Sequence, residues 1–300
     1  MKKTYLILGL SVVAAGWLAV EWWPRAPLPQ TNVIAANTVK AKQVLLTPVI
    51  EHWDQLPKEM MEAQALRFPS EVILSGPTSR RMVALTFDDG PSPDTKALLD
   101  VLAKHQVKAT FFWQGKNVNM FRDPAKRAFA AGHTIANHTF DHPDLYSLDG
   151  AESPVEYVWD EQVGRTQDIF QNVLGVQPAL MRPPYGHISD KQVQLMQSKG
   201  MKVIQWSLDT QDWNRNRMLF GKHNIERAMQ DYMHEEAIIL MHDGGGKRGK
   251  TVAAVDAIIP WLKASGYQIV TVDQLLGMKQ KYLPTKEPAV KAASVESLNF

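Results

Sequence analysis

Thr86-Phe87-Asp88-Asp89-Gly90-Pro91 closes an apolar run that begins near Arg81, and the reading of this stretch decides the fold. Arg81 to Phe87 has the composition of a short buried strand, and Gly90-Pro91 turns the chain at once after it. Two adjacent carboxylates repel each other, so a bare pair at a strand end calls for a cation or a chemical task. In a parallel sheet both acids stand at the carboxyl edge, where open sheets and barrels build their active sites. A solvated turn is the plain alternative, because Asp and Gly are ordinary turn residues.

Beyond Met82 apolar runs alternate with helical segments. Strands are predicted at Met82–Phe87, Val107–Trp113, Thr134–Asn137, Ala179–Arg182, Lys202–Ser207, Ala237–Met241 and Gln268–Val272. Helices are predicted at Asp94–His105, Pro124–Ala131, Pro154–Val173, Ser189–Ser198, Asn224–His234 and Thr251–Ala264. Asp94, Ser189 and Asn224 suit helix starts, and Gly132, Gly200 and Gly266 follow helix ends. Strict alternation implies an α/β protein with a parallel sheet, and about seven units predict an irregular (β/α)7-8 TIM-like barrel. A doubly wound open sheet is the alternative.

The 300 residues suit one large α/β domain with extensions, or two small domains. The net charge of +2 is spread along the chain, which argues against a nucleic-acid surface, and no protein partner is evident. Cysteine is absent, which excludes disulfides, thiolate metal sites, a Cys nucleophile and a lipoprotein anchor. Lys2-Lys3 precedes an apolar run from Tyr5 to Val20, with Trp17, Trp22 and Trp23 suited to a membrane interface. Residues 1–23 are therefore expected to be a signal anchor, or a cleaved signal peptide. Residues 24–79 read as a linker with a short helical lead-in after Pro57, 80–277 as the main domain, and 278–300 as a disordered tail. The expected location is the periplasm or cell surface, with the N-terminus anchored in the inner (cytoplasmic) membrane.

Every point where chemistry could be built follows a predicted strand. Asp88 and Asp89 follow the first, His138 and His142 the third, and Arg182-Pro183-Pro184-Tyr185-Gly186 the fourth. Asp209-Thr210-Gln211-Asp212-Trp213 follows the fifth and His242-Asp243 the sixth. In a parallel barrel they share one mouth. Two His four residues apart and a carboxylate from another strand make a three-ligand metal site with open positions, which His138, His142 and Asp89 fit. Hydrolysis also needs a base and an acid. Asp88 beside the ligand is placed to be the base, and His242 the acid. Arg182 could hold Asp88 ionised, and Asp212 could keep His242 protonated. Trp213, Tyr185 and Leu240 could wall a sugar ring, although each is more often core.

These segments resemble the polysaccharide deacetylases of carbohydrate esterase family four, the NodB-homology domain. That family shows T-F-D-D-G-P, H-[ST]-x-x-H-P, R-x-P-[YF]-G, D-x-x-D-W and L-x-H in this order, and all five occur here between Arg81 and Leu276. The resemblance implies a catalytic base at Asp88 and a divalent metal, usually Zn²⁺ with Co²⁺ or another divalent ion possible, on Asp89, His138 and His142. It implies that Arg182 positions the base and that Asp212 tunes the acid His242. The Tyr185 backbone N–H would help hold the oxyanion, and Trp213 and Leu240 would line the acetyl groove. The implied reaction removes N-acetyl, or O-acetyl, groups from a polysaccharide, with a polymer containing N-acetylglucosamine favoured by the envelope anchor.

Two rivals stand beside this expectation. Gly244 to Thr251 satisfies G-x-x-x-x-G-K-[ST], a phosphate-cradling loop in which Lys250 would meet phosphates and Thr251 a magnesium ion. The alternative in the binding class is an exported glycan-binding protein of the same fold without turnover, for which Asp88 and His242 would be unnecessary.

Overall fold

The structure is a computed structural model that describes residues 58–77, 79–149, 154–214 and 222–284. The expected membrane or signal segment, most of the linker and the end of the tail lie outside the described residues. Its central strand is the one opened above, β2 (Met82–Asp88). The others in chain order are β1 (Val72–Ile73), β3 (Thr110–Trp113), β4 (Thr134–Asn137), β5 (Gln177–Pro178) and β6 (Leu180–Met181). After them come β7 (Lys202–Ile204), β8 (Leu208–Asp209), β9 (Ile238–His242), β10 (Gln268–Val270) and β11 (Tyr282–Leu283). Nine of these form one sheet in the order β1-β7-β6-β4-β3-β2-β9-β8, with β10 added to the start of β2. All its ladders are parallel. With helices following most of its strands, the sheet forms the barrel-like α/β architecture that the alternation predicts. An isolated bridge between Ser75 and Ala237 links the segment after β1 to the start of β9.

The period of two along β2 sorts its side chains onto two faces. Val83, Leu85 and Phe87 join an outer core with Leu98, Phe111, Ile239 and Val255. Ala84 joins an inner core with Phe112, Ala136, Ile238 and Leu240. Thr86 and Asp88 share the parity of Ala84, so the first acid of the pair faces inward. Both faces are buried, which is why the strand reads as a continuous apolar run instead of an alternating one.

Several predicted boundaries shift. The strand predicted over Ala179–Arg182 shrinks to Leu180–Met181, because Pro183 and Pro184 donate no ladder hydrogen bond. The run Lys202–Ser207 ends at Ile204, and the chain re-enters the sheet as β8. Val272 starts a short helix capped by Thr271 instead of ending a strand. A helix at Gly115–Met120 was not predicted. Ser189 caps its helix with a full capping box; Asp94 stands at the N-cap of the helix Thr95–Lys104 as expected, but its carboxylate accepts from the Arg248 N–H (2.7 Å) and not from that helix. Asn224 lies inside the helix Lys222–Tyr232 and does not start it. The lead-in helix forms at Lys58–Arg67. Of the tail expected to be disordered from residue 278, the described part, which runs to residue 284, carries β11, antiparallel to β5. Among the described residues no helix is long and apolar enough to cross a membrane.

Candidate active site

Asp88, Trp113, Asn137, Met181, Asp209 and His242 end parallel strands, so the residues at and just after them gather at one edge of the sheet. Here the structure brings together Asp88, Asp89, His138, His142, Arg182, Asp212 and His242.

Asp89 leaves the strand with φ +71°, left-handed backbone that non-glycine residues seldom adopt. Its carboxylate accepts from Gln114 Nε2 (2.8 Å) and its carbonyl from Asn117 Nδ2 (2.8 Å). Asp89 Oδ1 lies 3.6 Å from His138 Nε2 and 3.2 Å from His142 Nε2. His138 Nδ1 is 2.7 Å from the Arg182 carbonyl, which can only accept, so Nδ1 carries the proton and Nε2 presents a lone pair. Burial pushes both histidines down to about 4, keeping them neutral. Burial alone would raise Asp89, but His242, His142, His138 and Gln114 together hold it at about 2. Two neutral imidazoles and an ionised carboxylate are the protonation states a metal requires. Two ligands at about 2.1 Å across a tetrahedral angle stand about 3.4 Å apart, close to the spacings of both histidines from Asp89. The three residues thus fit a divalent cation such as zinc, and they are the cluster of this kind found among the described residues.

Asp88 is buried and accepts from Arg182 Nη1 at 2.7 Å. Arg182 is fully buried, with its guanidinium 4.1 Å from the Phe112 ring centre. It also donates to Thr86 Oγ1 and to the carbonyls of Ile204 and Gln205. Arg182 lowers Asp88 as expected, but not to below the usual carboxylate range. Burial outweighs Arg182 and His242, and the carboxyl is pushed up to about 6.

On the neighbouring strand β9, where His242 is the register partner of Asp88, Asp212 accepts from His242 Nδ1 (2.7 Å), the His242 N–H (2.9 Å) and Thr251 Oγ1 (2.7 Å). Burial would raise Asp212, yet His242, Arg248 and Thr251 hold it below the usual carboxylate range. Burial would likewise lower His242, but Asp212 outweighs it and the imidazole is raised.

The remaining predicted residues divide. Tyr185 is half-exposed at φ +59°, and its ring meets His142 edge-on at 4.6 Å. Trp213 is half-buried, with Nε1 3.4 Å from the Asp209 carboxylate. The Leu240 side chain is 2% exposed and belongs to the inner core. Gly244 needs no phosphate to explain it: a Cβ there would sit 2.1 Å from the Asp89 carbonyl oxygen. Thr251 spends its hydroxyl on Asp212 and is buried, which removes the magnesium ligand of the nucleotide rival.

Sequence reasoning assigned no role to several partners of the site. Asp243 accepts from Trp113 Nε1 (3.1 Å) and Thr95 Oγ1 (2.5 Å), and burial pushes it up to about 7. Burial also raises Asp209 to about 6. Both acids stood beside residues already singled out, and that adjacency was the available signal. Gln114, Asn117 and Gln162 had none.

A family model described as polysaccharide deacetylase matches residues 75–204. The chain is 36% identical over 203 residues to a peptidoglycan-N-acetylglucosamine deacetylase of Bacillus cereus, covering 67% of this chain and 70% of that one. It is 34% identical over 288 residues to a peptidoglycan-N-acetylmuramic acid deacetylase of Bacillus subtilis, covering 94% of this chain and 55% of that one, about half its length. Among solved structures it is similar to a peptidoglycan N-acetylglucosamine deacetylase in complex with 4-naphthalen-1-yl-N-oxidanyl-benzamide. The TM-score is 0.63 and the identity 36%, over 69% of this chain and 93% of that one.

Proposed function

Since the chain belongs to the polysaccharide deacetylase family, an enzyme family that removes N-acetyl groups from polysaccharides, we propose that it is a metal-dependent deacetylase of an N-acetylglucosamine-containing envelope polymer. One observation carries this reading. A buried Asp88–Arg182 pair, an Asp89–His138–His142 cluster and a His242–Asp212 pair converge on one sheet edge.

The divalent cation, zinc in this proposal, supplies Lewis-acid polarisation of the acetyl carbonyl and acidifies water. Asp88 takes the proton of the attacking water. A carboxyl pushed up to about 6 is ionised at neutral pH yet basic enough for that work. Arg182 holds Oδ1, leaving Oδ2 toward His138 Nε2 at 3.9 Å. His242, raised by Asp212, gives its proton to the departing amine nitrogen, and the backbone N–H of Tyr185 is the proposed oxyanion donor. A binder without turnover would need neither the base nor the acid pair.

Relatives named as acting on peptidoglycan and on chitooligosaccharide support an N-acetyl glycan substrate. The charged and apolar pattern of residues 1–23 supports export and inner-membrane anchoring. The test is acetate release from peptidoglycan, chitin oligomers, poly-N-acetylglucosamine and acetylated xylan. Chelation with EDTA is expected to abolish it and Zn²⁺ or Co²⁺ to restore it. Full activity in metal-free protein would sink the metal mechanism.

A further inference from the structure

The helical stretch after Pro154 is not uniform. A π-helical turn, Val158–Val163, separates the α-helical segments Val155–Tyr157 and Gly164–Leu174. Such turns insert one residue into the helix and often mark functional sites. This one faces the loop between the two histidines of the site. Gln162 is 7% exposed, and its Oε1 accepts from two successive backbone N–H groups, Phe140 (3.1 Å) and Asp141 (3.4 Å). Its Nε2 donates to Asp141 Oδ1 (2.9 Å). The next residue extends the grip: the Val163 carbonyl accepts from Asn137 Nδ2 (3.0 Å), and Asn137 Oδ1 accepts from the Thr139 N–H (2.9 Å). Arg165, one turn on, lays its guanidinium over the Phe140 ring at 3.6 Å.

The loop needs this hold. Thr139 and His142 have φ of +65° and +70°, backbone that non-glycine residues keep only when the surroundings over-determine it. Without the inserted residue, a regular α-helix would rotate Gln162 by about 100° relative to the preceding turn and carry its amide off the loop.

We propose that Gln162, presented by the π turn, is the positioning residue of the His138–His142 loop and sets the chain's affinity for its divalent cation. The proposal rests on the reading that Asp89, His138 and His142 hold that cation. Gln162 touches no reacting atom; it fixes where His138 and His142 stand relative to Asp89.

The test uses the full chain, stripped with a chelator. Zinc affinity is measured by competition with a chromophoric chelator, and site geometry by the visible absorption of bound Co²⁺. Gln162→Ala is expected to weaken zinc binding about 10- to 100-fold, the usual cost of losing a partner behind the ligands, and to alter the Co²⁺ spectrum. Gln162→Glu keeps an acceptor oxygen for both N–H groups but replaces the Nε2 donor with a carboxylate oxygen facing the Asp141 carboxylate, so it is also expected to bind weakly. Combining it with Asp141→Asn exchanges donor and acceptor and is expected to restore wild-type affinity and spectrum. A merely structural role predicts no such rescue. Wild-type zinc binding with unchanged affinity in Gln162→Ala, or a double variant no better than Gln162→Glu alone, would overturn the positioning role. Failure of the wild type to take up zinc would instead overturn the metal reading, and this proposal with it.

Discussion

Asp88→Asn separates the two adjacent acids by experiment. The substitution keeps an oxygen to accept from Arg182 Nη1, and Arg182 retains the Thr86 hydroxyl and the Ile204 and Gln205 carbonyls as acceptors. The guanidinium therefore has no reason to swing toward the histidines, and the folded chain should survive. What disappears is the proton acceptor. General-base catalysis contributes about 10²- to 10⁴-fold. At about 1.36 kcal/mol per decade that is about 2.7–5.4 kcal/mol of the barrier, and kcat should fall by that factor. Asp88 is not among the three clustered ligands, so zinc affinity should change by less than about tenfold, below what loss of even an outer partner can cost. His138→Ala deletes a ligand and should lose more than about 100-fold in zinc affinity, together with activity. Acetate release and zinc competition on the same preparations decide the matter, with thermal melts to verify folding. Equal metal loss in the two variants would mean that base and ligand are wrongly assigned. So would a kcat for Asp88→Asn within about tenfold of wild type.

Two further outcomes follow from the charges. Asp212→Asn removes the anion that outweighs burial at His242, so the basic limb of the kcat/KM profile should move to lower pH; an unmoved limb would mean that another group is the acid. His133, buried beside Phe111, accepts from the Ala109 N–H (3.1 Å), and burial lowers it to about 4 from 6.5. A lowered histidine binds its proton in the unfolded chain first, so its stabilising effect is complete above pH 6.5 and is lost as pH falls toward 4. At pH 5 the loss is about 2 kcal/mol. Urea titrations at pH 7.5 and 5 should show His133→Gln losing less stability on acidification than wild type, and equal losses would refute the assignment.

The strand ends were legible because a buried parallel strand writes itself as an unbroken apolar run, and Gly90-Pro91 or Arg182-Pro183 must stop one. The inventory of the site followed, since five such ends share an edge. Side-chain reach was not legible. Gln114 meets Asp89 across 25 residues, and Gln162 meets the loop after His138 across 21 and 22. Neither pairing leaves a local pattern, because nothing in a glutamine's neighbourhood in sequence says where its amide ends. The π turn was equally hidden, for Pro154 to Val173 has helical periodicity with or without one extra residue. Ionisation was only half legible for a related reason: Asp88 beside Arg182 suggests a carboxylate held ionised, and Arg182 does lower it, but burial on both faces of β2 outweighs that and pushes the carboxyl up to about 6.

In the proposed mechanism the two adjacent acids take different roles, and the backbone is what sets them apart. On a regular strand, neighbours point to opposite faces, so Asp89 should look away from the site that Asp88 enters. Its φ of +71° breaks the alternation. Both carboxylates then reach His138 Nε2, Asp88 at 3.9 Å and Asp89 at 3.6 Å. Close packing protects the turn, for a side chain at Gly244 would collide with the Asp89 carbonyl. Once together, the acids are driven apart in chemistry. Histidines and the Gln114 amide hold Asp89 at about 2, while burial lifts Asp88 to about 6. Two like groups whose surroundings push their ionisation in opposite directions suit the division into ligand and base that the proposed mechanism asks of them. The repulsion between neighbours works in the same sense, because an ionised Asp89 makes its partner a stronger base.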